Sequence, residues 1–453
     1  MFDGFVKEIT KEIELKESRG RARSNDTKVR FEYAVKFLIS ELWRNSLSYP
    51  PSESSVNLRS GYYSELPRYR DENLTYRQIK AAFEGMINCR MIEVTTAGFF
   101  KKEEGSGQLT RFIPTDRLLE KFESLEGHPA FQLKSNTSGD IIILRNKIDG
   151  RKQDVDYPDT PRTDRFRSNL TKINNCFVKH WADMRIANTE VAKLAARIMQ
   201  DENKEPIDLS KRTLTRIFTN GSFEEGGRFY RGWWQNVPSE YRPFITIDSK
   251  ATSEHDYSQL NPNMIYSLYN HELGSEDAYS RVLGPEHRDV IKQAFNAMFQ
   301  AKTELKNKPN NINIDKIEMT WKELKEEILK AHKPIKDLFF TGLGNKLQFE
   351  DSIIAENVML QFAKMDAPAL PVHDSFIMHH GFGTYGELEE AMRRAFHDRF
   401  HRDIGVSKEL VVKHKSNIPI DKDGLATPSF EDILNAENDY SQWRNRDDMW
   451  MSR

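Results

Sequence analysis

Two aspartates, each set against a short apolar run, constrain this chain more than any other feature. The first stands in His255-Asp256-Tyr257-Ser258-Gln259-Leu260. An apolar-alternating segment, Phe244 to Ile247, precedes it, and Met264-Ile265-Tyr266-Ser267-Leu268-Tyr269 follows. That order predicts strand, turn and buried helix, with Asp256 at the strand end. The second aspartate interrupts Leu370-Pro371-Val372-His373-Asp374-Ser375-Phe376-Ile377, another apolar strand. Carboxylates at the ends of two neighbouring strands can clamp a pair of Mg²⁺ ions for in-line phosphoryl transfer. Either aspartate alone reads as an ordinary turn residue. The two together, each in a strand context, predict a metal site.

Four stretches, in order, carry a family resemblance over about Gly226 to Phe376. Asp256-Tyr257-Ser258-Gln259 resembles the first catalytic motif of family A DNA polymerases, the DNA polymerase I type. Val372-His373-Asp374 resembles their last one. Its continuation, Ser375-Phe376, is closer to the single-subunit, phage-type RNA polymerases, which share the same palm. Gly227-Arg228-Phe229 with Gln235-Asn236-Val237-Pro238 resembles the segment just ahead of the first motif. Arg288-Asp289-Val290-Ile291-Lys292, running on to Phe295-Asn296, resembles the fingers helix that grips the incoming triphosphate.

The resemblance implies an α+β fold: a right-hand polymerase palm with reduced fingers and thumb. It implies template-directed nucleotidyl transfer on a DNA template and primer with nucleoside triphosphates. Asp256 and Asp374 would be catalytic and, with the backbone of Tyr257, hold two Mg²⁺ ions, with Mn²⁺ as a substitute. Arg288, Lys292, Asn261, Gln259, Phe295 and Asn296 would bind the nucleotide. Arg228, Gln235, Asn236 and His373 would meet the nucleic acid.

Arg288 and Lys292 share one helix face, where two cations suit a triphosphate. Next to Glu286 and Asp289 they equally suit surface ion pairs. Asn296 and Gln300 stand where the family has an aromatic and a Tyr. Phe295 and Phe299 lie one position away, so a shifted register would restore the stacking surface. Asn261 stands where family A DNA polymerases carry Glu, which crowds the 2′-hydroxyl of a ribonucleotide. Asn261 and Ser375 tilt toward ribonucleotide use, and the other motifs toward DNA synthesis. A DNA polymerase and an RNA polymerase or primase both stay open. A non-catalytic replication or regulatory factor that kept a palm is a third reading, opposed by retention of both aspartates and the Arg/Lys pair.

The rest of the chain divides by composition. Residues 1–30 are charged and read as a polar arm. Residues 31–153 hold helical spacing from Phe31 to Leu42, a helix near Leu74–Met86, and a hairpin around Glu103-Glu104-Gly105-Ser106-Gly107. That order resembles a winged helix, or any small helical domain with a hairpin. Arg77, Lys80, Lys101 and Lys102 would face DNA phosphates, or the domain would dock a replication-factor partner. Residues 154–163 read as a linker, 164–225 as thumb-like helices, 226–417 as palm and fingers, and 418–453 as a polar tail. An Asp-x-Glu pair is absent from 1–170, so proofreading in cis is not expected. Asp439-Tyr440-Ser441-Gln442 repeats the first motif without a strand before it and reads as chance. Trp233-Trp234 suits either base stacking or loop anchoring.

The chain of 453 residues has net charge -2, so nucleic-acid contact must come from local basic surfaces. No apolar run suggests a membrane span, and the N-terminus lacks a signal-peptide core. Two cysteines, Cys89 and Cys176, exclude a Cys₄ zinc site and a disulfide framework. A cytoplasmic setting in a bacterial, plasmid or phage context is expected.

Overall fold

A computed structural model describes residues 2–452, apart from 19–20, 102–105, 126, 134–138, 202–203, 316, 385 and 410–437. Helix α1 (Phe2–Lys16) carries Phe2, Phe5, Val6, Ile9 and Ile13 on one stripe, and all five are buried. The expected polar arm over 1–30 is therefore a core helix in its first half. Its charged residues line the opposite face, which is why composition alone read as solvated. Helix α2 (Asn25–Ser46) starts at Ser24, whose Oγ accepts from Thr27 N at 3.4 Å. It buries Phe31, Ala34, Val35, Leu38 and Leu42 against α1 and α3 (Tyr76–Asn88).

Strands β1 (Ser54–Val56), β2 (Ile92–Thr96) and β5 (Thr110–Pro114) form an antiparallel sheet ordered β1-β5-β2. The hairpin of β3 (Phe99–Lys101) and β4 (Ser106–Gln108) extends from it. Its tip, with Lys102, Glu103, Glu104 and Gly105, lies outside the described residues. Helix α4 (Asp116–Glu123) closes this first core with Leu118 and Phe122.

A second, larger core follows. After α5 (Pro129–Gln132) come β6 (Ile142–Ile148), β7 (Arg151–Val155), α6 (Pro161–Lys179), β8 (Ala182–Met184) and α7 (Asn188–Met199). Then come β9 (Thr215–Thr219) and β10 (Ser222–Tyr230), in a sheet ordered β10-β9-β6-β7. Ile142 and Leu144 pack into this core with Phe218 and Phe229. The change of core thus falls between Leu125 and Ile142, ahead of the expected boundary at 154–161.

Nor is 154–163 a free linker. Arg68 pairs with Asp156 at 2.8 Å, Asp159 at 2.9 Å and Asp140 at 3.0 Å. Arg167 joins the same cluster through Asp140 at 2.7 Å. The acidic residues that read as linker are one side of this clamp. Residues 164–225 also depart from the expected bundle of helices. They hold α6, β8 and α7, then β9 and the start of β10, and Thr215-Arg216-Ile217-Phe218-Thr219 pairs with β6.

The third sheet is built from β8, β11 (Ile245–Ile247), β12 (Lys250–Tyr257), β13 (Leu370–Val372) and β14 (Ser375–His379). Its order is β13-β14-β12-β11-β8, with β15 (Val406–Glu409) beside β12. Helices α8 (Leu260–Leu268), α9 (Ser280–Leu283), α10 (Arg288–Gln300), α11 (Trp321–Ala331) and α12 (Gly344–Ala363) lie between β12 and β13 in the chain. Helix α12 buries Leu347, Ile354, Val358 and Phe362 and packs on β10. After α13 (His380–Thr384), helix α14 (Glu387–Phe400) packs on α12.

The last described helix, α15 (Ser441–Met451), is not a solvated tail. It buries Trp443 and Arg446, and Arg446 donates to both oxygens of Asp183 on β8 at 2.9 Å each. Residues 410–437, which contain the expected 417/418 boundary, lie outside the described set. No helix among the described residues is long and apolar enough to cross a membrane.

Candidate active site

Strand β12 looks polar in sequence, yet it is the central element of the site. Alternation sends Thr252 and Ser253 into hydrogen bonds of their own, with Ile245 O at 2.7 Å and His255 Nε2 at 3.2 Å. Glu254 and Asp256, two apart, share the face of Thr252, opposite Ser253 and His255. On β14, Ser375 stands opposite Asp256. Val372 pairs with Ser375, so His373 and Asp374 are the two residues of the β13–β14 turn. What reads as one broken strand is thus a tight hairpin, with His373 at φ 56°. The register brings Asp256 and Asp374 to the same end of adjacent strands.

Their electrostatics follow from that placement. Burial, and then the neighbouring Asp374 charge, push the Asp256 carboxyl up to about 7, against partial relief from the Lys292 ammonium. Asp256 Oδ1 is buried and finds no hydrogen-bond partner among the described residues. A third carboxylate, Asp351 on α12, is pushed up to about 6 by burial, relieved by Arg228 and raised again by Asp374. Arg228 Nε donates to Asp351 Oδ2 at 2.6 Å. A bulge at Gly226 and Gly227, both at positive φ, aims Arg228 there. A Cβ on Gly227 would lie 2.8 Å from the Phe218 ring, so the turn needs glycine.

Crowded carboxylates with an unpartnered buried oxygen are what hard divalent cations require, and the oxygen donors fit Mg²⁺ or Mn²⁺. The same crowding makes a stability prediction. The folded Asp256 carboxyl holds its proton up to about pH 7, whereas the ordinary value is 3.8. Its destabilising effect therefore grows from about pH 4 to pH 7 and is complete above. Without divalent cations, Asp256→Asn should raise Tm by roughly 2–5 °C at pH 8 and by almost nothing at pH 4. Added Mg²⁺ should close the gap by stabilising the wild type. Thermal melts at the two pH values check this, and a lower Tm for the variant at pH 8 would contradict it.

Helix α10 presents Arg288, Lys292 and Asn296 along one face. Arg288 Nε is held by Asp277 Oδ2 at 3.1 Å, and its guanidinium lies over the Tyr279 ring at 5.4 Å. Lys292 is exposed, and its charge acts on Asp256. Asn261 Nδ2 donates to Asn296 Oδ1 at 2.9 Å, so these two amides face each other across α8 and α10.

Several expected site residues serve elsewhere in the fold. Phe295 is fully buried against Tyr279, Phe299, His332 and Phe339. It is core and offers no stacking face, because it lies about 100° around the helix from Asn296. The shifted register is thereby overturned. Gln259 accepts from Ala278 N with its side-chain oxygen. Gln235 is a loop buckle: Nε2 donates to Phe229 O at 2.9 Å and Pro371 O at 3.2 Å, and Oε1 accepts from Gly232 N at 3.2 Å. Asn236 beside it is half-buried, and His373 is exposed at its turn. Trp233 and Trp234 are fully buried, and Trp234 Nε1 donates to Pro371 O at 3.0 Å. Tyr257 is buried, with its hydroxyl donating to Met392 O at 2.7 Å.

Two acidic groups at the site do not stand out in the sequence. Glu254 accepts from Ser375 Oγ at 2.5 Å and pairs with Arg242 at 3.2 Å. The signal for it is its i, i+2 relation to Asp256. For Asp351 the signal is an acid inside an apolar helix pattern. The second Asp-Tyr-Ser-Gln lies at a helix start instead. Its Asp439 caps α7, accepting from Thr189 N at 3.1 Å and Thr189 Oγ1 at 3.0 Å.

No protein-family model matches this chain, and no curated protein does. Among solved structures, the polymerase domain of Pol1 from M. smegmatis, in complex with DNA primer-template and dNTP, is similar to it. The identity is 13% and the TM-score 0.31, over 90% of this chain and 65% of that chain.

Proposed function

We propose that this chain is a template-directed nucleotidyltransferase, a compact DNA polymerase of the family A kind, without proofreading. The observation that carries the reading is the pair Asp256 and Asp374 at adjacent strand ends, with the Lys292 charge acting on Asp256. Asp256 and Asp374 hold two divalent cations, with the backbone beside Tyr257 as a further oxygen donor. Mg²⁺ bound there would lower the pKa of an attacking 3′-hydroxyl and offset the charge on the pyrophosphate leaving group. Lys292 and Arg288 receive the triphosphate, Arg288 after release from Asp277. Arg228 acts from behind the site: it balances Asp351 and sets the field at Asp374.

The α+β frame supports reading the third sheet as a palm and α10 as reduced fingers. In the N-terminal unit, the sheet β1-β5-β2, with β1 ahead of helix α3 and β2 and β5 after it, and hairpin β3–β4 as the wing, supports a winged helix. Arg77 and Lys80 on α3 are exposed, as is Lys101 on the hairpin. They suit DNA phosphate or an acidic replication partner.

Primer extension with dNTPs and with NTPs, side by side in Mg²⁺, tests the function. Extension of a primed template is expected, and no incorporation of either nucleotide set would refute it. The Asn261–Asn296 pair favours a second reading, weak discrimination against ribonucleotides, because a short neutral amide crowds a 2′-hydroxyl less than Glu. Asn261→Glu should raise the dNTP-to-NTP ratio of kcat/KM about tenfold, or about 1.4 kcal/mol. A strong dNTP preference in the wild type, unmoved by the substitution, would place the gate elsewhere.

A further inference from the structure

Cys176, His180 and Asp366 lie far apart in the chain but meet in the fold. Their candidate ligand atoms, one per residue, all lie within 4.8 Å of one another. Cys176 and His180 are one turn apart at the end of α6, with His180 as its C-cap. Asp366 comes from the turn that leaves α12 for β13. We propose that these three side chains bind one thiophilic divalent cation of the Zn²⁺ class, at a site separate from Asp256 and Asp374.

The imidazole is already oriented as a ligand. His180 Nδ1 lies 2.6 Å from Asp248 Oδ2. Asp248 is itself fixed, because its Oδ1 accepts from Trp181 N at 2.8 Å. A carboxylate on Nδ1 selects the tautomer with the lone pair on Nε2, and it raises the basicity of that nitrogen. Nε2 is buried, with the Cys176 thiol and the Asp366 carboxylate as its neighbours. It points to the side where Cys176 and Asp366 lie, with Asp366 Oδ1 at 3.9 Å. Asp248 and the Cys176 thiol both favour the protonated ring, so a cation would bind here in exchange for the Nε2 proton.

The donor set decides which cation fits. Sulfur, nitrogen and oxygen in one small site favour a borderline-soft ion over Mg²⁺. Ligand atoms around a tetrahedral Zn²⁺ lie about 3.3–3.8 Å apart, given bonds of about 2.0–2.3 Å. Cys176 and His180 come from a rigid helix end. Asp366 is the arm that closes, since its side chain is 58% exposed. Its present partner, Lys179 Nζ at 3.0 Å, is 62% exposed and can withdraw into water. The three protein ligands leave one position for water. A cation there would tie α6 to the connection into β13, and through Asp248 to the β11–β12 turn. It would brace the strands that carry Asp256 and Asp374 without touching either.

Co²⁺ titration of the full, metal-stripped chain tests this, because a thiolate on Co²⁺ gives a near-ultraviolet charge-transfer band that carboxylates do not. One equivalent should produce the band, and Zn²⁺, but not excess Mg²⁺, should displace it. Cys176→Ser should abolish the band, whereas Cys89→Ser should leave it, since these are the two cysteines of the chain. Asp366→Ala, at an exposed turn position with φ 51°, should weaken Co²⁺ binding at least about tenfold, and Asp248→Asn by about 10–100-fold. The double variant Asp256→Asn, Asp374→Asn should keep the band, so failure of the polymerase reading would leave this one standing. Absence of the band in the wild type would overturn the proposal. So would its survival in Cys176→Ser, unchanged affinity in Asp366→Ala, or its loss in the double variant.

Discussion

Asp256→Asn and Asp374→Asn should each lower nucleotide incorporation by more than about 10³-fold while leaving the fold intact. Removal of one preorganised electrostatic group already costs roughly 10²–10³ in other enzymes, and here each substitution removes a charge that holds the metals. Asn keeps the shape, so packing gives no reason for the loss. The two aspartates sit at the end of one strand and in the adjoining turn, with β12 and β14 paired from Thr252↔His379 to Asp256↔Ser375. That ladder survives both substitutions. Single-turnover primer extension reads the effect, and circular dichroism reads the fold. The expected rise in Tm of Asp256→Asn at pH 8 sharpens the test: a more stable protein with no activity cannot be explained by unfolding. Asp439→Asn is the control. It alters the cap on α7, where Asn serves nearly as well as Asp, and activity should be unchanged. Wild-type rates in either Asp256→Asn or Asp374→Asn would end the two-aspartate proposal.

Removal of residues 1–150 should leave insoluble protein, whereas removal of 1–127 should leave a soluble remainder that extends a pre-annealed primer. The difference is β6. It lies between β9 and β7, and its Ile142, Ile143 and Leu144 are buried. Three such side chains contribute roughly 5–9 kcal/mol by burial, comparable with the whole net stability of about 5–15 kcal/mol of a domain. Their loss would also leave β9 with an unpaired edge next to apolar surface, a template for aggregation. The shorter cut removes the first core and leaves every fully buried member of the second, taking Tyr49 and Tyr69 from its edge. It breaks polar bridges, such as Arg44 to Asp208 at 2.7 Å and Arg68 to Asp159 at 2.9 Å. Bridges of that kind contribute little when water can replace the partner. Soluble yield and extension rate for the two truncations decide this. Two insoluble products would mean that the cores fold as one unit.

What was legible in the letters was local. The apolar stripe of α2, the helix near Leu74–Met86, and two aspartates beside apolar strands all follow from periodicity and side-chain type. These are near-neighbour properties, and a residue's immediate chain context is enough to state them. The stripe on α1 was equally present, but its charged face hid it until α2 and α3 supplied a surface to bury it against. Register and rotation were not legible. Strand β12 became a strand because β14, β11 and β15 satisfy its backbone, whatever its polar side chains prefer. Phe295 rather than Asn296 went into the core because the packing of α10 fixed the rotation of that helix. Gln235 and Gln259 became internal clasps because their partners, Pro371 O and the Ala278 amide, arrive from distant segments. The meeting of Cys176, His180, Asp248 and Asp366 has the same origin. Spacing along a chain constrains distance only within a turn or a strand pair. Beyond that, burial of the shared core selects which side chains meet, and that selection is a property of the whole fold.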